Sequence, residues 1–420
     1  MGIFQKKHRT FWLTCALLVC AAIVAFVLLQ HSPLFQSKWV LDVKKAGAKG
    51  DGVNDDTDVF LKVLRQAADA GHGAEVIVPP GTYSLRLDEP LPLYSGVSIR
   101  GQGKPVLKFR SLTGVRNGFE AVAASGRHIR IDGIVIDGGH RLTRGINVHT
   151  GSYDVEIRNS VIRDLSQSEN PESSLYSAVV SGIMIYGNTS KITISGCTIT
   201  QISASHGQPV ARGIMVWSEP GKNIARFVRI IGNEISHITP REDADGIYFD
   251  KPPADAHLSE SVIEGNFIHH TAKRGIKIST PGVTVKDNHI VNPYSGNNRY
   301  LRPAKDPLPQ DMYSAISIYA SQVTVSGNTI DGTGSFYAAI EADIGPLNGI
   351  VIENNQISGG SSGTVRNTSG IRLGAVHGFT VKENTIRYVQ TGIRLSETAT
   401  AGHLAGTGKI ADNQIQERKQ

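Results

Sequence analysis

Residues 212–217 read R-G-I-M-V-W, residues 228–235 read V-R-I-I-G-N-E-I, and this pair of phrases recurs to the end of the chain. The first phrase is a small residue, usually Gly, followed by two alternate apolar positions. It returns as R-G-I-N-V-H (144–149), S-G-I-M-I-Y (181–186), D-G-I-Y-F-D (245–250), R-G-I-K-I-S (274–279), S-A-I-S-I-Y (314–319), A-A-I-E-A-D (338–343), S-G-I-R-L-G (369–374) and T-G-I-R-L-S (391–396). The second phrase is an alternating strand closed by Asn, as in V-T-V-S-G-N-T-I (323–330) and F-T-V-K-E-N-T-I (379–386). The Asn slot holds Asn159, Asn233, Asn266, Asn288, Asn328, Asn355, Asn384 and Asn413, with Cys197 in the same place, at spacings of 22 to 40 residues. Such short runs of period two are strands and not helices. An antiparallel sandwich also alternates, but it does not repeat one turn chemistry along its whole length.

The repeat reads as one turn of a solenoid with three short strands. Alternate Ile and Val point into a shared core, and each turn pairs with the next at about 4.8 Å, the spacing of neighbouring strands. The recurring Asn suits a left-handed bend between the second and third strands, and its amide can bond its copy one turn on. The expected architecture is all-β: a single-stranded right-handed parallel β-helix of about nine to eleven coils. It fills residues 111–420, after a cap and first coils over 41–110.

Residues 11–29, FWLTCALLVCAAIVAFVLL, hold 19 residues without a charge, enough to cross a membrane as a helix. Lys6, Lys7 and Arg9 precede them, so residues 1–10 are expected in the cytoplasm, residues 30–40 as a linker, and the body on the periplasmic or extracellular side. A cleaved signal peptide is the rival reading, and no A-x-A-like site follows, since the next residues are Gln30-His31-Ser32-Pro33. The formal charge of +6 includes the three cations of that tip, so charge gives no argument for a nucleic-acid partner. Cys15 and Cys20 lie in the apolar segment and Cys197 is alone in the body, which excludes a disulfide framework there.

Residues 42–101 are organised differently. Asp55 or Asp56 is expected to cap a helix over 57–70 whose apolar face is Val59, Phe60, Val63, Leu64 and Ala67. That helix would close the open end of the solenoid. Gly47-Ala48-x-Gly50-Asp51-Gly52, Asp55-Asp56-Thr57, Pro80-Gly81-Thr82-Tyr83 and Gly101-x-Gly103 in this block resemble the pectate-lyase-like β-helix superfamily. Together with the coils, the resemblance covers nearly everything after residue 40. It implies the fold. For the reaction it implies a range, because the superfamily includes polysaccharide lyases, uronate epimerases, polygalacturonase-like hydrolases and phage tailspikes.

Stacking aligns the outward residues of the G-I-x-I-x strands into columns. One reads Asn147, Met184, Met215, Tyr248, Lys277, Ser317, Glu341, Arg372, Arg394, and the next reads His149, Tyr186, Trp217, Asp250, Ser279, Tyr319, Asp343, Gly374, Ser396. Both are expected to face solvent. Aromatics beside charges suit a polysaccharide, the rings stacking on sugar faces and the cations meeting uronates; an ordinary solvated face with incidental aromatics is the plainer alternative. Residues 251–260 and 293–313 are long loops that would wall this groove. Arg212, Asp245 and Arg274 are expected to form a ladder, either within the site or as a structural ion-pair column.

Three chemistries follow. Elimination or carbon-5 epimerisation of a uronate requires a cation for the carboxylate, for which Lys277 or Arg274 serves, and a base, for which Tyr248 or His257 serves. Hydrolysis requires two carboxylates at a set separation, such as Asp250 with Asp243 or Asp255. The third is binding without catalysis. The catalytic candidates are Tyr248, Asp250, Arg274 and Lys277. The candidates for binding substrate are Tyr186, Trp217, Asp245, His257, Tyr319, Glu341, Asp343 and Arg372. Arg274-Gly-Ile-Lys277 is similar to the R-I-K of polygalacturonases, with a Gly intervening, and Asp243-Ala-Asp245-Gly246 is similar to their N-T-D-G. Their paired aspartates on the next coil are absent. Tyr248-Phe249-Asp250 is similar to part of the mannuronan-epimerase motif, whose D-P-H-D is missing. No metal-ligand spacing stands out, so no cofactor is expected, with Ca²⁺ left open.

Overall fold

A computed structural model describes residues 39–71, 73–239, 243–253, 257–291, 314–332, 338–342, 344–359, 369–395 and 408–417. The apolar segment 11–29 and the loop 293–313 lie outside the described residues. Among the described residues no helix is long and apolar enough to cross a membrane.

Leu41–Gln420 forms one compact unit. Among the described residues three large parallel sheets build it, two of 13 strands and one of 11, with a small two-stranded sheet, Leu347–Asn348 beside Val376–His377, at one edge of two later coils. Successive strands go to successive sheets, so Arg229–Ile231, Glu234–Thr239 and Ala244–Phe249 are the three sides of one coil. The next coil repeats them as Ser261–Glu264, Phe267–Thr271 and Arg274–Ile278, each paired in parallel with its predecessor. The third sheet has 11 strands: the nine that carry the G-I-x-I-x phrase, preceded by Leu91–Leu93 and Gly118–Ala124, which do not. The 13 strands of the other two sheets exceed the expected nine to eleven coils. Its inward Ile column runs in register from Ile214 through Ile247, Ile276 and Ile316 to Ile340, Ile371 and Ile393. Period two, one buried face and a turn at fixed phase leave no other register.

The glycine of the phrase has a steric cause. A Cβ on Gly213 would stand 2.5 Å from the Gly246 carbonyl oxygen and 2.6 Å from Ile235 Cγ2. At this coil the corner between the second and third sheets therefore closes around a residue without a side chain, whereas two later coils accept the single methyl of Ala315 and Ala339.

The Asn slot forms a ladder. Each amide Nδ2 donates to the Oδ1 one coil on at 2.9 Å, from Asn233 through Asn266, Asn288, Asn328, Asn355 and Asn384 to Asn413. Cys197 donates its backbone N–H to Asn233 Oδ1 at 2.9 Å and begins the run. Two expectations are corrected. The left-handed bend falls on the preceding residue, with Gly232 and Gly265 at φ 60° and 63° and Asp287 at 56°. Asn159 takes that bend position, with φ 51°, and Ser160 occupies the ladder slot in its coil, its carbonyl meeting the Thr198 N–H. The bend turns the peptide plane, so the residue after it aims along the column.

Helix α1, Thr57–Asp69, buries Phe60, Val63, Leu64 and Ala67 on the first coils. Asp56 is its N-cap residue, yet its carboxylate does not cap it. Instead it accepts the Lys49 and Gly50 N–H groups at 2.6 and 3.0 Å, and Asp55 takes the Thr57 N–H at 2.9 Å. At the far end of the described coils, Ile410 and Ile415 are exposed.

Candidate functional site

Three side-chain columns occupy the outward face of the third sheet. In the middle one, ladder pairing places Asn147 beside Met184, then Met215, Tyr248, Lys277, Ser317, Glu341, Arg372 and Arg394. In the next, the N–H groups of His149, Tyr186, Trp217, Asp250, Ser279, Tyr319 and Gly374 each bond one coil back, which keeps this column in line. The third column precedes the glycine and runs Glu120, Arg144, Ser181, Arg212, Asp245, Arg274.

Lys277 is the centre of the arrangement. Its Nζ lies 4.8 Å from the Tyr248 ring centroid and 5.5 Å from that of Tyr319. The Arg212 guanidinium lies 4.8 Å from the same Tyr248 ring. Burial pushes the Lys277 ammonium below its ordinary range; the Arg274 charge adds to this, and Asp245 and Asp243 oppose it. No ion pair of Lys277 occurs among the described residues, so aromatic faces hold this charge. Tyr248 donates its hydroxyl to Asp250 Oδ1 at 2.6 Å. Burial and then the Asp250 charge raise the Tyr248 phenol well above its ordinary value. Asp250 also takes the Lys251 N–H on Oδ1 at 2.8 Å, while among the described residues its Oδ2 has only a long 3.3 Å contact from the Ser218 N–H.

Beneath this lies an ion-pair cluster. Arg274 Nη1 donates to Asp245 Oδ1 at 3.1 Å, and Arg212 Nη1 stands 3.4 Å from Asp245 Oδ2. Arg212 Nη2 donates to Asp243 Oδ2 at 2.6 Å, and Lys273 and Arg274 approach Asp243 Oδ1 at 3.5 and 3.7 Å. Burial acts to raise the Asp243 carboxyl, but the Arg212 and Lys273 charges outweigh it and bring it to about 2. A further chain leads outward, from Arg274 Nη2 to the Tyr319 hydroxyl at 3.4 Å and from that hydroxyl to Glu341 Oε1 at 3.0 Å, where Ser317 also donates.

The chain matches the family described as "Rhamnogalacturonase A/epimerase, pectate lyase-like" over residues 40–298. It belongs to that family. The superfamily resemblance read from the cap and coils is thereby confirmed. A stretch of 134 residues is 31% identical to the preneck appendage protein of Bacillus phage PZA, covering 30% of this chain and 15% of that protein. The chain thus spans a small part of that relative's length. Among solved structures it is similar to the Azotobacter vinelandii mannuronan C-5 epimerase AlgE4 A-module, at 15% identity and a TM-score of 0.57, covering 90% of this chain and 98% of that one. It is similar to PfbA, a surface adhesin of Streptococcus pneumoniae, at 16% identity and a TM-score of 0.61, covering 89% of each. It is also similar to a mutant tailspike protein of E. coli bacteriophage HK620 in complex with a pentasaccharide, at 13% identity and a TM-score of 0.62, over 90% of this chain and 65% of that one. Identities this low carry the fold and nothing finer.

Within this family member, the expected site residues part into two groups. Tyr248, Asp250, Lys277, Tyr319, Tyr186 and Trp217 lie on the outward face, all half-buried. Tyr186 packs edge-on to Trp217, with centroids 5.2 Å apart, and stacks on His149 at 5.4 Å. Arg372 is half-buried in the same column. Arg274 and Asp245 are each 0% exposed and Glu341 is 1% exposed, so their assignment to substrate contact is corrected. They support the residues above them. The expectation that the whole middle column faces solvent is corrected too, since Asn147, Met184, Met215 and Ser317 are buried. Columns one ladder step apart let long side chains lean over short ones. His257 is exposed, and no hydrogen bond or ion pair joins it to Tyr248 or Lys277 among the described residues. Asp343 and Asp255 lie outside the described residues. Tyr248, expected as a base, donates its hydroxyl to Asp250, and burial and the Asp250 charge both raise its phenol. Asp243, considered only as a carboxylate for hydrolysis, is the hub of the ion pairs. Its sequence signal is the basic residue that precedes the glycine on either side, Arg212 and Arg274, with Lys273 adjoining. Among the described residues no cluster of three His, Cys, Asp or Glu is arranged to hold a metal ion.

Proposed function

We propose that this chain cleaves a uronate-containing polysaccharide by β-elimination at Lys277. The observation that carries this reading is the Lys277 ammonium, held between two tyrosine rings on the outward face without an ion-pair partner among the described residues. A sugar carboxylate fits that place, and neutralising it acidifies the proton on carbon 5. Asp250 takes that proton on its lightly bonded Oδ2. The carbon 4–oxygen bond breaks, a double bond forms between carbons 4 and 5, and Tyr248 gives its hydroxyl proton to the departing oxygen. Rotation of the protonated Asp250 carboxyl about its Cβ–Cγ bond then brings that proton to the Tyr248 oxygen, which stands 2.6 Å from the other carboxyl oxygen, and restores the hydroxyl.

Because acid and base are hydrogen-bonded neighbours, both act from one side of the sugar. Elimination suits that arrangement. Carbon-5 epimerisation also begins by removing the carbon 5 proton, but it delivers a proton to the opposite face and so takes a second group there. Hydrolysis is less well served, since a general acid needs a carboxyl protonated near working pH, and Asp243 is held at about 2 while Asp245 is locked between two arginines. The named activities of similar proteins, a mannuronan epimerase and a tailspike holding a pentasaccharide, support a polysaccharide as the ligand. Residues 11–29 behind Lys6, Lys7 and Arg9 support a single-pass anchor with the β-helix outside the cytoplasm. Membrane pellets that release the chain at high pH would refute the anchor.

The test incubates the full chain with alginate and polygalacturonate. Elimination yields unsaturated ends that absorb in the near ultraviolet, hydrolysis yields reducing ends without that signal, epimerisation changes uronate composition with neither, and binding alone yields none of these. Lys277→Ala and Tyr248→Phe each lower the rate by at least about a hundredfold. Full activity of both variants on a substrate that the unaltered chain cleaves would sink the proposal.

A further inference from the structure

A cleft of about 880 Å³ lies away from Lys277, where three successive loops enter the third sheet. Its floor and walls include Arg116, Asn117, His140, Arg141, Ser168 and Glu169. No side chain lining it is apolar. An apolar cofactor therefore has nothing to rest on, whereas a hydroxyl-rich ligand meets donors and acceptors throughout. Two arginines face one carboxylate, Glu169. His140 pairs outside the cleft with Asp164, at 3.5 Å. Arg141 donates to the Arg116 carbonyl at 3.2 Å, and neither arginine has a carboxylate partner among the described residues.

The wall is built in advance. Gln167, 1% exposed, donates to the carbonyls of Ala178 and Gln208 at 2.9 and 3.1 Å and accepts the His206 N–H at 2.8 Å. Ser168 donates to Asn117 Oδ1 at 3.1 Å, which ties two of the loops together. A site ordered before binding spends little affinity on ordering itself.

We propose that this cleft is a second binding site, for a carboxylate-bearing stretch of the same polysaccharide chain that reaches Lys277. The identity of the polymer rests on the reading of Lys277; the cleft itself does not. From Leu142–Val148 the third sheet steps through Val180–Ile185, Ala211–Val216 and Ala244–Phe249 to Arg274–Ile278. Four ladder steps separate the two sites by about 19 Å along the axis. A long chain bridges that distance and a short one does not. Bridging turns the second contact into an intramolecular event.

The experiment measures binding of fluorescent polygalacturonate and alginate oligomers, shorter and longer than this separation, to the full chain, with neutral dextran as control. Long acidic oligomers bind at least about tenfold tighter than short ones, and added salt erases the difference. Arg116→Gln with Arg141→Gln removes the preference for length and takes short-oligomer binding from two sites per chain to one. Glu169→Gln strengthens long-oligomer binding and serves even where the double variant fails to fold. Long-oligomer binding that falls in Lys277→Ala but stays unmoved in the arginine and Glu169 variants overturns the cleft and keeps the proposed function. Loss in the arginine variant alone keeps the cleft and overturns the role of Lys277. No binding of either acid polymer to the unaltered chain overturns both.

Discussion

Asp245→Asn keeps the shape of the most buried carboxylate in the ion-pair column and removes only its charge. In the native chain that charge is shared between Arg274, 3.1 Å away and 0% exposed at its side chain, and Arg212, 3.4 Å away and 3% exposed. Arg212 retains Asp243 as a partner, at 2.6 Å, whereas the direct contact of Arg274 with Asp243 stretches to 3.7 Å. The substitution therefore takes from Arg274, a buried cation, the carboxylate charge that stands 3.1 Å from it. Breaking a buried ion pair by removing one partner costs about 3–5 kcal/mol. The remaining contacts to Asp243 place the expected loss near the lower end, about 3 kcal/mol. Urea unfolding at neutral pH, followed by far-ultraviolet circular dichroism, reads it as a lower midpoint. In a stack of coils the loss is local, so a separate early transition is also expected in the middle coils. Replacing all three groups with Arg212→Met, Asp245→Leu and Arg274→Met restores part of the stability, because the fully buried charges leave together while among the described residues Asp243 keeps only the Lys273 ion pair, at 3.5 Å. An Asp245→Asn midpoint equal to the native one would refute the claim that this column is held by charge.

Asn266→Ala removes a buried amide that donates to Asn288 Oδ1 and the Ile230 carbonyl and accepts from Asn233, each at 2.9 Å. The expected cost is about 3 kcal/mol, from lost bonds and stranded donors, measured as a lower midpoint in thermal unfolding. Gly213→Ala drives a methyl against the Gly246 carbonyl, 2.5 Å from the new Cβ, and costs about 1–3 kcal/mol in the same measurement. For acid, Asp243 lies at about 2 in the folded chain against 3.8 as its ordinary value. It contributes about 2 kcal/mol that is fully present above pH ~4 and lost as the pH falls toward 2. Asp243→Asn should flatten that part of the acid-unfolding curve, and an unchanged curve counts against the pairing.

The fold was legible because it repeats. Ile247, Ile276 and Ile316 share a phase with their glycine or alanine, and a strand has only two faces, so the columns followed from counting. The Asn ladder was legible for the same reason from Asn233 onward. It failed at Asn159, where a one-residue offset puts Asn in the bend and Ser160 in the slot, and an isolated Asn does not reveal its backbone dihedral. The pairing of Tyr248 with Lys277 came directly from column order. Burial within the columns did not. Asp245, Arg274 and Glu341 occupy outward positions by count and are covered all the same.

The amino-acid order alone determined which residues become neighbours along the axis, because a strand period of two and a fixed turn phase convert sequence spacing into position. Only the tertiary structure decided which of those neighbours meet solvent, which charges lock one another beneath the face, and that Arg116 and Arg141 open into one cleft. These depend on how far long side chains lean across a 4.8 Å step and on where loops of unequal length come to rest, about 4.8 Å being the strand spacing common to all parallel sheets.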